Sequence, residues 1–347
     1  MSDRRAKLLA WYDAHKRDLP WRRTRDPYAI WVSEIMLQQT RVETVIPYYQ
    51  RFLERFPSAH TLADAPLDDV LAHWSGLGYY RRARLLHEGA RAVVRDHDGV
   101  LPRDPVARRA LPGIGAYTAG AIGSIAFDLP EPIVDGNVAR VFSRLELIET
   151  PLGERATERV LWEHAAHLAV GERPGELNQA LMELGARVCT PLNAKCGQCP
   201  IREGCRAHDA GRVDELPVPA KKKPPKPVSL VALVARTSDD ALWLMRSDGS
   251  LFGGLWGFPL AEGAGRKLAS TLAEQLSLRG TLSKLAVGKI THVLSHRALA
   301  VEVFALRAAQ GTPSDVLRPV AERDLGTLGI ASLTRKILAV ARGPVVT

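Results

Sequence analysis

From residue 1 to about 210, apolar side chains recur at helical spacing with polar ones between them. The pattern predicts helices over LLAWYDAHKR, YAIWVSEIMLQQT, TVIPYYQRFLERF, LDDVLAHW and RRARLLHEGARAVVRDH. It predicts more over TAGAIGSIAF, NVARVFSRLELI, ATERVLWEHAAHLAV and LNQALMELGARVC. Asp26 before Pro27, and Asp68, are suited to start helices, and Gly99 to stop one. No internal repeat is visible. The stretch VDELPVPAKKKPPKP, residues 213–227, then holds five prolines and four lysines and predicts an extended linker. Beyond it the spacing is that of strands. VSLVALVAR and ALWLMRS read as a strand pair turning at Ser238, Asp239 and Asp240. Further strands are predicted in KLAVGKITHVL and ALAVEVFAL, with helices near KLASTLAEQL and SLTRKILAVAR. The fold class expected is multidomain: an α domain, then a small α/β or α+β one.

A chain of 347 residues suits two domains, each with its own core. The net charge of +9 favours a polyanionic partner, a balance shared with ribosome-associated, membrane-surface and plain basic proteins. No apolar run approaches the ~20 residues of a membrane span. The N-terminal MSDRRAKLLAWYDAHKR is charged and has no signal-peptide core, so an intracellular protein is expected. All four cysteines, Cys189, Cys196, Cys199 and Cys205, fall in one loop with the spacing C-x6-C-x2-C-x5-C. A reducing compartment favours a metal or cluster over disulfides. Structural zinc is one reading, although zinc sites more often use two C-x2-C pairs. The unequal spacing and Pro200 favour a 4Fe–4S cluster held by thiolates. Lys195, Arg202 and Arg206 make the loop a basic surface.

Candidate chemistry centres on residues 111–144, LPGIGAYTAGAIGSIAFDLPEPIVDGNVARVFSR. Pro112, Gly113, Ile114 and Gly115 predict a tight turn leading into a helix. Glycines there admit a close neighbour, and the N–H groups of the next helix are left pointing outward, which suits a phosphate. Asp135, followed by Gly136 and Asn137, places a carboxylate at the mouth of another helix. Singly, the two features read first as a glycine-rich turn and a helix cap, and only together with the rest of the chain as chemistry. A second carboxylate, Glu34, stands amid Trp31, Val32, Ile35, Met36 and Leu37. Burial there would raise its pKa and keep it an acid; the alternative is the solvent face of an amphipathic helix. Cleaving an N-glycosidic bond needs a proton for the leaving base and stabilisation of the developing sugar cation, work that two carboxylates can divide.

The motifs also occur in a telling order. LPWR at 19–22, DPYAIWVSEIMLQQTRVETVIPYY at 26–49 and WSGLGYYRRARLLHEGA at 74–90 are followed by LPGIGAYTAGAI, VDGNVARV, NQALMELGARVCT and the cysteine loop. This series resembles the MutY-type adenine DNA glycosylases of the helix-hairpin-helix superfamily, from about residue 8 to 206 and more weakly beyond. The resemblance implies a helical glycosylase domain over residues 1–211, with its helix-hairpin-helix at about 105–125 and its cluster loop at 189–205. A linker over 212–227 and a MutT-like (Nudix-fold) domain over 228–347 would follow. The implied activity is base excision repair: hydrolysis of the N-glycosidic bond of adenine mispaired with 8-oxoguanine or guanine, the adenine being flipped from the duplex. Glu34 would protonate the adenine at N7. Asp135 would stabilise the oxocarbenium-like sugar or bond to it transiently, with Asn137 and Tyr117 hydrogen-bonding around Asp135. Arg22 would lie near the adenine, Gln38 and Gln39 would enter the duplex near the lesion, and Tyr79 would wedge beside the oxidised guanine. Gly113 and Gly115 would hold the backbone.

Two alternatives stay open: an endonuclease III-like pyrimidine-lesion glycosylase with lyase activity, and a catalytically silent mismatch-binding protein. The endonuclease III type places a lysine nucleophile just after the hairpin, where this chain has Tyr117. Ala139 stands where some members carry a reactive lysine, so little lyase activity is expected. The resemblance further implies a double-stranded DNA partner, a monomer, no membrane, and a cytoplasmic location, nucleoid-associated in a bacterium.

In the C-terminal part, LFGGLWGFPL resembles the MutT-like turn, but only Glu274 of STLAEQLSL stands where a magnesium ligand is expected, so no hydrolysis is expected there. THVLSHRAL resembles the loop that reads 8-oxoguanine. Ser295 would bond the N7–H and O8 edge, with His296 beside it and His292 fitting the same pattern. Leu294 replaces the family's Phe, and Gly257 departs from the more usual WEFP.

Overall fold

The protein is described by a computed structural model covering residues 2–220, 224–248 and 251–342. Residues 221–223 of the expected linker, and 343–347 of the expected second domain, lie outside the described residues. The helices in chain order are α1 (Ser2–His15), α2 (Pro27–Leu37), α3 (Val42–Arg55), α4 (Ala59–Asp64), α5 (Leu67–His73), α6 (Arg81–His97) and α7 (Pro105–Ala110). They continue with α8 (Ala116–Phe127), α9 (Gly136–Leu145), α10 (Arg155–Ala169), α11 (Pro174–Arg187) and α12 (Arg206–Asp209). The strands are β1 (Lys226–Ala235), β2 (Leu242–Arg246), β3 (Trp256–Gly257), β4 (Leu260–Glu262), β5 (Arg279–Leu282), β6 (Gly288–Val293), β7 (Arg297–Gln310) and β8 (Leu317–Val320). Two further helices, α13 (Arg266–Gln275) and α14 (Ser332–Ala341), lie among the strands and after them. No helix among the described residues is long and apolar enough to cross a membrane.

Contacts divide the chain into two compact units: residues 1–64 with 85–222, and residues 65–84 with 223–347. This differs from the single boundary expected near residue 211. Helix α5 and the turn after it belong with the strands, although their sequence reads as part of the helical series. The linker differs too, because β1 starts at Lys226, before its expected end.

In the first unit, the local signals for helix ends are those the side chains supply. Asp26 caps α2 by accepting from the N–H groups of Tyr28 and Ala29, and Pro27 opens the helix. Asp104 does the same for α7, and Asp135 for α9. Helix α6 ends at His97, where Asp98 and Gly99 both take positive φ. Helix α2 stops at Leu37, earlier than its apolar pattern suggested, and Gln39 turns away with φ 56°. Every residue of α2 from Tyr28 to Met36 is buried. A helix that is apolar all round runs through a core rather than along a surface. A second apolar cluster joins α1, α9, α10 and α11 through Leu8, Phe142, Leu161, Leu177 and Leu184.

The second unit holds a five-stranded sheet, in which β4, β1, β7 and β5 are neighbours in that order and β6 also pairs with β7. Strands β3, β2 and β8 form a separate sheet. The strand pair expected between β1 and β2 does not form. The chain does turn at Thr237–Ala241, but only Arg236 and Leu242 bridge. Both edges of β1 are already taken, by β4 antiparallel and by β7 parallel, so β2 finds its partners in the other sheet. A parallel pair needs a crossover, and the connection between β1 and β7 carries α13 across the sheet. Asp68 lies inside α5 and does not cap it; Pro66 holds the N-cap position without a side-chain hydrogen bond, and Asp68 pairs with Arg246.

Candidate active site and DNA-contact elements

Within the first unit, the ends of α2, α8, α9 and α11 surround a cavity of about 540 Å³. Glu34, Asp135, Asn137, Tyr117, Arg22, Gln38 and Gln39 all line it. The expected residues are thus brought together from sequence positions more than a hundred apart. Glu34 is 4% exposed. The solvent-face reading of Glu34 therefore falls, because α2 has no solvent face at that turn.

Burial raises the Glu34 carboxyl to about 7; a hydrogen bond from Tyr117 and the charge of Arg22 oppose the rise, and the charge of Asp135 adds to it. A rise from 4.5 favours the protonated acid by roughly 3 kcal/mol. Tyr117 donates to Glu34 Oε2 at 2.7 Å. The expectation that Tyr117 bonds around Asp135 is corrected here: its hydroxyl reaches Glu34. Tyr117 is itself held well above its ordinary pKa, by burial and then by the charges of Glu34 and Asp135, so it remains a donor.

Asp135 is held as expected from its other side. Its Oδ1 accepts from the Val138 N–H at 2.7 Å, and its Oδ2 from Asn137 Nδ2 at 2.9 Å. Asn137 Oδ1 in turn accepts from Arg140 Nη2 at 2.9 Å, and Arg140 also donates to the Cys189 and Gly185 carbonyls. One guanidinium thus links the aspartate to the cysteine loop. Gln38 Nε2 lies 3.4 Å from Thr118 Oγ1.

Glu183, on α11, is a site residue that the sequence reading missed. It is fully buried, yet its pKa is lowered: burial opposes the charge, and hydrogen bonds from Arg17 and Arg22 outweigh burial. Arg17 donates to both carboxylate oxygens at 2.7 and 2.9 Å, and Arg22 to Oε2 at 2.8 Å. The available signal was a glutamate between Leu181, Met182 and Leu184. It is the same signature that singled out Glu34.

The turn Leu111–Gly115 leads directly into α8. Gly113 takes φ 77°, which a residue with a side chain rarely adopts. Gly115 is in ordinary extended geometry, and a Cβ there would face open space. No side chain caps α8, so its first-turn N–H groups are left for an outside acceptor.

The cysteine loop is stapled by Arg144, which is 1% exposed and donates to the Thr190, Pro191 and Leu216 carbonyls. Cys189, Cys199 and Cys205 pack on the apolar cluster beneath. Burial pushes the Cys199 thiol up to about 11; a backbone hydrogen bond from Ile201 opposes this, and Cys189, Cys205 and Cys196 add to it. Among the described residues, no three His, Cys, Asp or Glu side chains are gathered as ligands of a single metal ion.

In the second unit, Tyr79, Ser295 and His296 form another group. Tyr79 is half exposed, has φ 49°, and its hydroxyl lies 3.3 Å from Ser295 Oγ. Arg82 lies over the Tyr79 and Trp74 rings and donates to the Leu77 and Gly78 carbonyls, so the turn bearing Tyr79 is braced from beneath. Ser295 and His296 are the exposed tip of a tight β6–β7 hairpin closed by Leu294 N–H to Arg297 O at 2.7 Å. Leu294 packs on the core instead. His292 departs from expectation: it is buried, and burial followed by the charge of Lys336 lowers its pKa.

Comparison with known proteins adds the following. The family model described as HhH-GPD superfamily base excision DNA repair protein matches residues 32–167, and the NUDIX domain model matches residues 230–340. The chain is 38% identical to an adenine DNA glycosylase of Rattus norvegicus, over 91% of this chain and 72% of that protein. It is 35% identical to one of Homo sapiens, over 98% of this chain and 74% of that protein. The fold is similar to that of a thermostable thymine-DNA glycosylase, with a TM-score of 0.54 and 30% identity over 60% of this chain and 98% of the other.

Proposed function

Because the chain belongs to the MutY-type adenine DNA glycosylases, DNA N-glycosylases of base excision repair, we propose that it excises adenine paired with 8-oxoguanine and, less readily, with guanine. The observation that carries this reading is Glu34, buried beside Asp135 with a pKa near 7, which supplies an acid at neutral pH where a leaving purine needs one.

In this mechanism the flipped adenine occupies the cavity, and the Glu34 carboxyl gives its proton to N7. Tyr117 occupies Oε2 as a donor, so Oε1 carries the proton. The C1′–N9 bond breaks, its electron pair leaves with the base, and the sugar becomes cationic at C1′. Asp135 faces that charge, oriented by Asn137 and the Val138 N–H. Water then adds at C1′, its proton passing to the Glu34 carboxylate that the first step left ionised, and an abasic site remains in an unbroken strand. Tyr117 in the place of a lysine nucleophile supports a monofunctional reaction with little strand cleavage. The turn at Gly113 and Gly115 takes a backbone phosphate, and Gln38 and Gln39 reach the duplex beside the lesion. Tyr79 wedges beside the oxidised guanine, and Ser295 and His296 read its edge. The protein acts as a monomer on DNA in the cytoplasm.

The family is compatible with an iron–sulfur cofactor, and the donor set of the loop fits one: four thiols, three packed on the core, in a loop held by buried arginines. Cys189, Cys196, Cys199 and Cys205 would hold a 4Fe–4S cluster, which supplies a structural cross-link to the loop.

The test uses duplexes holding adenine opposite 8-oxoguanine, adenine opposite guanine, or thymine glycol opposite adenine, each developed with and without alkali. Alkali-dependent cleavage at adenine, faster opposite 8-oxoguanine, is expected. Alkali-independent cleavage at thymine glycol would overturn the assignment.

A further inference from the structure

Arg108 is an arginine with no exposed surface, in the first helix of the hairpin. Its Nε donates to the Ala119 carbonyl on α8 at 3.0 Å. Its Nη1 donates to the Pro102 and Arg103 carbonyls at 3.0 and 2.8 Å, and its Nη2 to the two oxygens of Glu131 at 2.5 and 2.6 Å. Every guanidinium N–H therefore has an acceptor. A buried charge so fully committed fixes the position of each group it touches.

Those groups belong to two functional elements. Ala119 and the backbone at 102–103 flank the hairpin turn. Glu131 lies in the irregular segment between α8 and α9, four residues before Asp135. Residues 128–135 carry no helix or strand, and only a few backbone hydrogen bonds, such as Leu129 N–H to the Gly123 carbonyl, hold them, so side chains share in setting their position. Asn178, itself buried on α11, donates to the Glu131 carbonyl and to Ser124 Oγ, both at 2.8 Å. The fit is close: a Cβ on Gly123 would overlap both the Glu131 carboxylate and the Arg108 guanidinium.

We propose that the Arg108–Glu131 pair is a strut that sets the reach from the phosphate-gripping hairpin to Asp135. Arg108, Glu131 and Asn178 are positioning residues. None of the three is among the residues that line the cavity, and they act through the register of the segment that ends in the catalytic aspartate. Backbone bound at the hairpin is thereby placed with C1′ at a fixed distance from Asp135. The inference rests on the glycosylase reading above.

The test compares full-length wild type with Glu131→Gln, Arg108→Lys and Asn178→Ala. Two quantities are read: the single-turnover rate of adenine excision opposite 8-oxoguanine, and the affinity for the same duplex carrying an uncleavable abasic-site analogue. A misplacement of about 1 Å at a reacting centre lowers rates on the order of 100-fold. Glu131→Gln should therefore lower the rate by about 10- to 100-fold, with less than about threefold change in affinity and an unchanged pH profile above neutrality, since Glu34 is not moved. Arg108→Lys, which keeps the charge but not the fork, should fall between it and wild type. If these two variants do not fold, Asn178→Ala leaves the ion pair intact and still predicts a smaller loss of the same kind. Unchanged rates, or rate and affinity falling in proportion, would overturn the strut. A wild-type protein that excises no adenine would instead overturn the function, not the strut.

Discussion

Glu34 and Glu183 line the same cavity, are equally inaccessible to solvent, and differ in charge. Glu34, on α2, is pushed up to about 7 by burial. Glu183, on α11, lies below the ordinary carboxylate range although burial opposes its charge too. The difference is in the donors. Glu183 receives three guanidinium N–H groups from Arg17 and Arg22, whereas Glu34 receives one neutral phenol hydroxyl from Tyr117. Depth of burial alone does not decide ionisation; the charge of the hydrogen-bonding partner does. One wall of the cavity thereby holds a carboxyl whose surroundings favour its protonated form, and the other a fixed ion pair that keeps Arg22 in place.

The largest test of this contrast removes the proton. Glu34→Gln should lower single-turnover adenine excision by roughly 10²- to 10⁴-fold, the range of general acid catalysis, while mismatch binding persists. Loss of binding along with turnover would make Glu34 structural. On the other wall, Glu183→Gln strands two arginines. Truncating one side of a buried ion pair costs roughly 3–5 kcal/mol, and the partial exposure of Arg17 puts this one at the low end. Denaturant unfolding should show that loss, and a variant as stable as wild type would mean that the pair carries no load.

How much of this was legible follows the distance over which each feature is decided. Asp26, Asp135 and the turn at Gly113 act within three or four residues, so the sequence displays them. Glu34 was legible because its neighbours in the helix are apolar on every side. Glu183 carries the same signature, but its meaning depends on Arg17, 166 positions away, and no local pattern reports that pairing. The Arg108–Glu131 pair was hidden in the same way. Tyr117 lines the cavity, but its hydroxyl meets Glu34 and not the expected Asp135, because hydroxyl direction is decided by tertiary packing. The second unit shows the largest divergence: its strands are visible as segments, yet which strand pairs with β1 depends on β7, some seventy residues on. Helix α5 reads as one more amphipathic helix, and nothing in it announces that its apolar face belongs with the strands.

A smaller and graded effect comes from pH. If protonated Glu34 is the active form, the excision rate should fall about tenfold per pH unit above about 7, and Glu34→Gln should lack that limb. Stability follows the same group. Its folded pKa is raised, so the folded protein binds the proton more tightly than the unfolded chain does. Stability is fully present below the ordinary value of 4.5 and is lost as pH rises toward 7. Glu183 works in the other direction, stabilising above the ordinary range and failing as pH falls through its lowered pKa. Relative to wild type, Glu34→Gln should therefore gain stability between pH 5 and 8 by up to about 3 kcal/mol, read as melting temperature against pH. Parallel curves for the two proteins would mean that Glu34 titrates normally.

The smallest effect belongs to the second unit, where the contrast is with how lightly its site is held. Ser295 is exposed at a hairpin tip, and its hydroxyl meets the Tyr79 hydroxyl at 3.3 Å. The Ser295 hydroxyl is open to solvent before DNA arrives, so a single hydrogen bond to the lesion edge is worth only ~1 kcal/mol, or about fivefold in rate or affinity. Ser295→Ala should accordingly reduce the preference for adenine opposite 8-oxoguanine over adenine opposite guanine by about fivefold, with the excision rate opposite guanine unchanged. Tyr79→Phe removes the hydroxyl but keeps the ring, and should shift that preference less. If Ser295→Ala slowed both duplexes equally, the hairpin would be gripping DNA without reading the base, and discrimination would have to come from elsewhere in the protein.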